Sequence, residues 1–326
     1  MKKGFVDLQV NGWMGISFSD PDLTLQEVHE ITLDLAKRGT IAYCPTVVTE
    51  HYDTYRHNLP ILAEAMEDPE LGPHLLGIHM EGPFISIKKG ARGAHPRCYV
   101  KRAAVAEFDR FQEWARGRIA LLTLDPSHRR GADLIRHARA QGVVVAIGHH
   151  FAEPADMQKA VEAGATVATH LGNGIPNKID RHRNPLWWQL ACDELWASLI
   201  TDGHHLPAPL IKVALRAKTP DRVVVVSDAS PLAGLPPGQY EAFGMHVVIE
   251  ESGRIYSRES DSLAGSHATM LECMNFLASL ELLDEESLWR LGVDNPLRIL
   301  GRTPDLLDAI PGPGVTFDGH TFSVGG

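Results

Sequence analysis

Short apolar runs alternate with longer amphipathic segments along most of the chain. The apolar runs are typical of strands buried on both faces, and the amphipathic segments repeat with the period of a helix. Strands are predicted at 4–10, 41–48, 75–80, 119–124, 143–148, 165–169, 197–201 and 222–226. Helices are predicted between them at 24–39, 51–68, 101–117, 130–142, 154–164, 184–190 and 207–218. Because most strands are followed by a helix of crossover length, the pattern favours a closed α/β fold, a TIM-like (β/α)8 barrel.

An open doubly wound sheet is the alternative fold. It would need a glycine-rich phosphate turn after the first strand, and the segment 9–15 lacks the required order of glycines. After the eighth strand, the alternation at 240–257 predicts a β-hairpin insertion, within about 238–258, that turns at 251–253. A last helix is predicted at 266–280. The barrel domain would then span 1–303, and a glycine-rich tail with weak strand character would span 304–326.

Composition and charge narrow the class of protein. With 326 residues, 44% hydrophobic and 22% charged, and a mean hydropathy of -0.12, the chain has the make-up of an ordinary globular protein. No apolar stretch approaches the roughly 20 residues that span a bilayer, and the first residues turn acidic too early for a signal peptide, so a cytoplasmic protein without a membrane partner is expected. The net charge of -10 is spread along the chain without a basic stripe, which argues against a nucleic-acid partner.

Cysteine and histidine usage points away from disulfides and towards a metal. The four cysteines lie far apart without paired spacing, so neither a zinc knuckle nor a disulfide framework is indicated: Cys44, Cys98, Cys192 and Cys273. The 17 histidines are more than composition requires, and some are adjacent, as at 149–150 and 204–205. A metal site is therefore a reasonable hypothesis.

Four predicted strands end in residues that can bind a metal or move a proton: Glu81, His149, His170 and Asp228. In a barrel, these strand ends meet at one mouth whatever their separation in sequence. Two neutral imidazoles and one carboxylate form a ligand set that zinc or another first-row divalent metal accepts. A carboxylate beside the metal, such as Asp228, could take a proton from water and later deliver it to a leaving amine.

Each of these residues also has a purely structural interpretation. A histidine at a strand end is often only hydrogen-bonded, and an aspartate after an apolar run often caps the next helix. The coincidence of four such strand ends favours the metal site over four independent structural roles.

Several segments resemble the N-acetylglucosamine-6-phosphate deacetylase family of the amidohydrolase superfamily, in the family's order and across nearly the whole barrel. The matching segments are Phe5-Val-Asp-Leu-Gln-Val-Asn-Gly12, His79-Met-Glu-Gly-Pro-Phe84, Gly93-Ala-His-Pro96, Gly148-His149, Ala168-Thr-His-Leu-Gly-Asn173, Val226-Ser-Asp-Ala229, Leu263-Ala-Gly-Ser266 and Asn295-Pro-Leu-Arg-Ile-Leu300. The resemblance implies that Glu81, His149 and His170 bind the metal and that Asp228 is the general base and then the general acid.

The resemblance also implies how many metals bind and where the substrate lies. Gln9 and Asn11 replace the superfamily's usual first-strand histidine pair, which implies one metal rather than two. Gln9 and Asn11 would be among the residues that bind the substrate, and Asn173 and Gly174 would present polar and backbone groups to it.

In the family, an arginine after strand six and the histidine of an Asp-Gly-x-His motif hold the sugar phosphate, both supplied by the neighbouring subunit. Arg183 and His205 match these best, which implies a homodimer with a shared active site. Arg181 is equally available, and Arg183 could also be a solvated loop charge.

The chain departs from the family pattern at positions that face the substrate and at its ends. His150-Phe151 follows His149 where a small polar residue is usual, and Gly172 also departs, so the sugar identity and the role of His150 stay open. His79, His150 and His204 could support the site from behind or face solvent. The family's small β-sandwich would be reduced to the tail at 304–326 or missing.

The expected function is metal-dependent hydrolysis of an N-acetyl amide, with N-acetylglucosamine 6-phosphate or a related amino-sugar phosphate as the substrate. The expected cofactor is one divalent metal ion, zinc first, with iron, cobalt or manganese as alternatives. An amidohydrolase for an N-acyl amino acid or a cyclic amide is the alternative enzyme. A non-catalytic protein that binds a metal or a sugar phosphate is the alternative from another class.

Overall fold

Eight parallel strands form one curled sheet at the centre of the computed structural model, which describes residues 2–259 and 262–325. Each strand pairs with the next along the chain, and the first and eighth strands meet through a parallel bridge between Val10 and Ala229. The strands are Phe5–Val10 (β1), Thr40–Val47 (β2), Ile78–Glu81 (β3), Ile119–Leu124 (β4), Val144–Ile147 (β5), Val167–Ala168 (β6), Trp196–Ile200 (β7) and Val223–Val226 (β8). The predicted (β/α)8 barrel is confirmed.

The helices around the sheet include the eight predicted ones, whose limits differ from the prediction by a few residues, and two short ones after residue 280, so the helix predicted at 266–280 is not the last. They span Leu25–Lys37, Tyr52–Ala65, Val105–Trp114, Gly131–Ala140, Pro154–Glu162, Pro185–Ala191, Ala208–Lys218, Met270–Ser279, Glu285–Trp289 and Asn295–Ile299, with a π-helical turn at Arg290–Asp294 and short 3-10 turns at Gly72–His74, Arg97–Tyr99, Pro220–Arg222 and Pro304–Ala309. The first helix begins at a capping box, in which Thr24 and Glu27 each accept a hydrogen bond from the other's backbone N–H. No helix in the described part of the chain is both long and apolar enough to cross a membrane.

The barrel core explains why the strand signals are continuous apolar runs. Every residue of β1 and β2 is buried, because one face of each strand fills the barrel interior and the other packs under the helices. At the opposite end from the strand carboxyl termini, the Phe5 ring packs on Trp289 and Phe322, with centroids 5.5 and 5.2 Å away. This aromatic cluster joins the first strand to the last helices and the tail.

The tail at 304–326 contains an antiparallel pair, Val315–Phe317 and Phe322–Val324. Val315 also forms an antiparallel bridge with Lys2, so the two ends of the described chain lie together beside β1. Asn275 fixes the tail to the last long helix, because its side chain bonds the backbone N–H and C=O of Phe322.

The insertion after β8 is larger than the single predicted hairpin. It is a four-stranded antiparallel sheet of Gly238–Ala242, Met245–Ile249, Ile255–Ser257 and Ser262–Leu263. The predicted turn at 251–253 joins its second and third strands, whereas the first turn is Phe243-Gly244, with φ of 55° and 68°. A two-residue turn of this hand usually carries Asn-Gly, and a phenylalanine in its place hid the first hairpin in the sequence.

Candidate metal centre and active site

The four strand ends singled out in the sequence meet at one mouth of the barrel. Glu81 is the last residue of β3, and His149, His170 and Asp228 each lie two residues beyond the end of β5, β6 and β8. His170 Nε2 lies 2.9 Å from Glu81 Oε1, and His149 Nε2 lies 3.1 Å from the same oxygen. The two Nε2 atoms are 3.0 Å apart. The predicted convergence of these side chains is therefore present in the structure.

Three of these residues have a left-handed backbone. His149, His170 and Asp228 have φ of 49°, 31° and 50°, a region that residues other than glycine rarely adopt. The reversal just past each strand turns the side chain inward over the barrel mouth. Such conformations cost of order 1–3 kcal/mol each and persist only where surrounding contacts fix them, which is typical of functional sites.

The donor atoms of this cluster suit a cation. His149 Nδ1 lies 3.0 Å from the carbonyl oxygen of Ala91 and must donate to it, so the neutral ring directs its Nε2 lone pair towards Glu81 and His170. Lone pairs from two imidazoles and a carboxylate repel one another at about 3 Å unless a positive charge lies between them. The side chains of Glu81, His149 and His170 therefore fit a divalent metal of the kind that nitrogen and oxygen ligands hold.

Charge balance within the cluster supports this interpretation. Burial alone would raise the pKa of Glu81, but hydrogen bonds and charge from His149 and His170 hold it well below its usual range. Burial would lower the pKa of His170, but the neighbouring Glu81 carboxylate overrides it, so that the pKa is raised. The pocket thus stabilises a positive charge next to Glu81.

Asp228 is held opposite the cluster by two amides from β1. Gln9 Nε2 donates to Asp228 Oδ1 and to Glu81 Oε1, at 2.9 Å in both cases, and Asn11 Nδ2 donates to Asp228 Oδ1 at 2.7 Å. Burial and the nearby Glu81 charge raise the pKa of Asp228 to about 6, although the charges of His170 and His205 and the Asn11 bond oppose the shift. A carboxylate of this pKa can accept and return a proton near neutral pH.

A second aspartate lies behind Asp228. Asp7 is 1% exposed, and its carboxylate accepts hydrogen bonds from the Ser227 hydroxyl at 2.5 Å and from the Gln9 backbone N–H at 3.1 Å. Burial is the main reason that the pKa of Asp7 is raised to about 7, against the hydrogen bonds from Ser227 and Gln9. Asp7 therefore ties β1 to the residue that precedes Asp228.

His95 is a site residue that the strand-end argument missed. Its Nε2 lies 3.2 Å from His149 Nε2, and with Glu81 and His149 it forms a group whose ligand atoms lie within 4.8 Å of one another. The backbone N–H of Thr49 donates to His95 Nδ1 at 3.3 Å, so the hydrogen of the neutral ring is on Nε2. Burial and the charge of His149 lower the pKa of His95 to about 3, which keeps the ring neutral. The geometry thus makes Nε2 a hydrogen-bond donor into the site, which suits a substrate contact better than a metal ligand.

A cavity of about 840 Å³ opens over these groups, large enough for a sugar phosphate. Among the predicted substrate residues, Asn11, Asn173, Gly174 and His205 line it, whereas Gln9 does not and instead bonds Glu81 and Asp228. His205 lines the cavity of its own chain, whereas the resemblance implied a histidine supplied by the neighbouring subunit. Asn173 Nδ2 is buried without a hydrogen-bond partner in the described regions, so a donor is available to a ligand. Residues from the long loop after β3 and from the insertion complete the wall: Lys89, Gly90, Arg92, Phe243, Met245 and Glu259.

Four other predicted residues lie outside the cavity. His79 is a buried residue of β3, with Nε2 2.8 Å from Thr123 Oγ1, and burial lowers its pKa to about 4. His150 contacts the Gln189 side chain at 2.7 Å, and burial likewise lowers its pKa to about 4. His204 Nε2 contacts the Ser252 carbonyl at 2.9 Å and so joins the barrel to the insertion. Arg183 is exposed and does not line the cavity of its own chain.

The fold and the cation-binding cluster at its mouth define a metal-dependent amidohydrolase. The structure superimposes over 99% of the chain on a solved structure of N-acetyl-D-glucosamine-6-phosphate deacetylase from Mycobacterium smegmatis, a mutant in complex with N-acetyl-D-glucosamine-6-phosphate. The TM-score is 0.88 at 25% identity, with 84% of that chain covered.

Sequence relatives identify the particular family. The chain is 31% identical over 311 residues to N-acetylglucosamine-6-phosphate deacetylase of Bos taurus, which covers 91% of this chain and 74% of the relative. It is 30% identical over 301 residues to N-acetylgalactosamine-6-phosphate deacetylase of Shewanella sp., covering 92% and 72%. The chain belongs to the N-acetylglucosamine-6-phosphate deacetylase family and is a hydrolase of a linear amide bond. No protein-family model matches it.

Proposed function

We propose that this enzyme removes the acetyl group from an N-acetylated amino-sugar 6-phosphate, with N-acetylglucosamine 6-phosphate as the first candidate. The products are acetate and the free amine. The observation that carries the proposal is the convergence of Glu81, His149 and His170 on one point, opposite a carboxylate, Asp228, that two amides orient.

Glu81, His149 and His170 would hold one divalent metal, with zinc the first candidate and iron, cobalt or manganese as alternatives. The first-strand position next to Glu81 carries the Gln9 amide, which donates a hydrogen bond to the carboxylate rather than offering an imidazole. This contact supports a single metal. When bound, a metal of this kind lowers the pKa of water and polarises a carbonyl oxygen.

The chain's own residues then have distinct roles. Asp228 takes a proton from the attacking water and returns it to the amine nitrogen as the amide C–N bond breaks. Gln9 and Asn11 keep Asp228 Oδ1 in position through their amide N–H groups. The His95 Nε2–H is available to the acetyl oxygen, where negative charge develops during attack, and this contact is stronger in the transition state than in the ground state.

The phosphate would be bound by His205, by Asn173 and Gly174, and by Arg183 from a second copy of the chain in a homodimer. Arg183 is exposed and makes no ion pair with the described residues of its own chain. Trp187 is 51% exposed in the same segment, and its Nε1 donates to the Arg181 carbonyl at 2.9 Å. An exposed tryptophan beside arginines that form no ion pair within the described part of the chain is typical of a protein–protein contact.

Acetate release by the zinc-reconstituted enzyme tests the reaction. The substrates are N-acetylglucosamine 6-phosphate, its galactosamine epimer, unphosphorylated N-acetylglucosamine and an N-acetyl amino acid. We expect turnover of a phosphorylated sugar, and a loss of about 10²–10⁴-fold in Asp228→Asn with zinc retained. Asp109→Asn, an exposed aspartate paired with His137, is the matched control and keeps full activity. Full activity of Asp228→Asn, or turnover of the amino acid alone, would contradict the proposal.

Arg183→Ala tests the phosphate contact and the shared site. We expect KM to rise for the phosphorylated sugar but not for the unphosphorylated one, because only the phosphate would meet the guanidinium. The molar mass of the wild type by light scattering should be that of a dimer. An unchanged KM in Arg183→Ala would remove Arg183 from the site.

A further inference from the structure

Asp202 lies just beyond β7, and all of its acceptor positions are filled. Oδ1 accepts from the backbone N–H groups of His204 and His205, each at 2.9 Å. Oδ2 accepts from His205 Nδ1 at 2.7 Å and from Ser266 Oγ at 3.0 Å. A carboxylate that accepts four hydrogen bonds has no lone pair left for a proton of its own. Burial would raise the pKa of Asp202, but the hydrogen bonds and charge of His205 hold it well below its usual range.

The contact with Asp202 fixes one end of the His205 ring and leaves the other end free. Nδ1 carries a hydrogen in both the neutral and the protonated ring, because its partner is an ionised carboxylate. Nε2 has no hydrogen-bond partner among the residues that the structure describes, and His205 lines the cavity. The side chains of His205 and Asp202 are only 6% and 2% exposed, so water competes little for this contact. Nε2 is therefore the atom that His205 offers to a ligand.

Ser266 joins this pair to the strand end that carries the proposed base. Its backbone N–H donates to the Asp228 carbonyl at 2.9 Å, and its carbonyl accepts from Ser230 N–H at 2.9 Å. Its hydroxyl donates to Asp202. One continuous set of hydrogen bonds thus connects His205 to the backbone of Asp228.

We propose that Asp202 is a positioning residue, which holds Nδ1–H of His205 with the help of Ser266 and so directs His205 Nε2 to the phosphate of the substrate. With phosphate bound, a protonated ring donates from Nε2 to the phosphate while Asp202 balances its charge from the other side. Such charge-assisted hydrogen bonds are about twice as strong as neutral ones. This inference rests on the proposed function, since it names the substrate group that His205 meets.

The first experiment locates the ring hydrogen of His205 by nitrogen NMR of histidine-labelled, zinc-loaded enzyme at alkaline pH, where imidazoles are neutral. His205→Asn assigns the signal. We expect the wild type to carry the hydrogen on Nδ1. In Asp202→Asn, the amide oxygen should stay with the backbone N–H groups of His204 and His205. The amide NH2 then faces His205 Nδ1 as a donor, so the ring hydrogen of His205 should move from Nδ1 to Nε2. Asp109→Asn leaves the His205 signal unchanged. A wild-type hydrogen on Nε2 would overturn the proposal.

The second experiment measures kcat and KM with N-acetylglucosamine 6-phosphate. Asp202→Asn should raise KM roughly tenfold while kcat changes by no more than about twofold, because a charge-assisted bond to the phosphate is weakened and the reacting groups stay in place. Since Asp202 acts through His205, the double variant with His205→Asn should be no worse than His205→Asn alone. Additive losses, or an unchanged KM, would assign Asp202 a merely structural role.

Two further results keep the test decisive. If Asp202→Asn does not fold, Ser266→Ala removes only one hydroxyl from Oδ2 and should raise KM about two- to fivefold, because the three other hydrogen bonds still hold the carboxylate. An unchanged KM in Ser266→Ala would then count against the proposal. If the wild type releases no acetate from any phosphorylated sugar, the proposed function fails, whereas the NMR result still judges the Asp202–His205 arrangement by itself.

Discussion

Asp7 should make the stability of the protein depend on pH near neutrality. Its buried carboxyl has a pKa of about 7 in the folded state, against an ordinary value of 3.8. The folded state therefore prefers the protonated form. This preference stabilises the fold fully below the unfolded-state pKa, and the stabilisation is lost as the pH rises from about 4 through about 7. At 1.36 kcal/mol per pH unit, the difference between 3.8 and about 7 corresponds to about 4 kcal/mol.

Asp7→Asn removes this titration and keeps a side-chain oxygen for the Gln9 backbone N–H, while the amide NH2 can donate to the Ser227 hydroxyl oxygen. Urea unfolding of the chelator-treated protein measures the free energy of unfolding between about pH 5 and about pH 8, where wild type should lose about 3 kcal/mol relative to the variant. The difference between the two proteins cancels the titrating groups that do not interact with Asp7; Asp228, whose charge contributes to the raised pKa of Asp7, is the group that does interact. Ser227→Ala removes the hydroxyl that stabilises the charged form, so its loss with rising pH should be larger than that of wild type. Parallel curves for wild type and Asp7→Asn would refute the reasoning.

Three other substitutions test the metal centre and the core. Glu81→Gln should weaken zinc binding because it removes the charged ligand. Competition with a chelator should show a loss of affinity larger than the roughly 10–100-fold that follows from loss of a residue supporting a ligand. An unchanged affinity would exclude Glu81 as a ligand. Gly93→Ala should lower zinc affinity about tenfold, because the new Cβ would lie 3.0 Å from His149 Cε1 at a backbone φ of 59°. Gly142→Ala is the control for backbone strain, since Gly142 has a φ of 81° but open space around it, and this variant should leave zinc affinity unchanged. Phe5→Ala should cost about 3–5 kcal/mol in urea unfolding, because the buried ring packs on Trp289 and Phe322; a loss below about 1 kcal/mol would mean that the cluster collapses to fill the space.

The sequence by itself determined the barrel and four residues of its mouth. Continuous apolar runs separated by amphipathic segments are what a parallel sheet covered on both sides requires, so the strand count and order followed from the pattern. The four mouth residues are predicted from their place at strand ends: Glu81, His149, His170 and Asp228. A barrel brings such positions together, so predicting their convergence needs no knowledge of side-chain contacts.

Only the tertiary structure decided which neighbouring residues join them. His95 lies in a loop whose path is set by packing, and its tautomer depends on the Thr49 backbone N–H, 46 positions away in the chain. His79 and His150 have the same residue type and the same proximity in sequence, yet burial against other partners removes them from the cavity. His79 lies within β3 and His150 directly follows His149, so neither hydrophobic periodicity nor position in the sequence shows which of these side chains reaches the cavity.

The same limit applies to the pairing of Asp202 with Ser266. The sequence contains both as parts of separate motifs, but the carboxylate and hydroxyl meet only because the segment after the insertion returns to pair beside Ala229 at the end of β8. Hydrophobic periodicity determines which elements form and which face they bury, because burial is summed over many residues. Hydrogen bonds between loops depend on distances of a few tenths of an ångström, which only the packed chain determines.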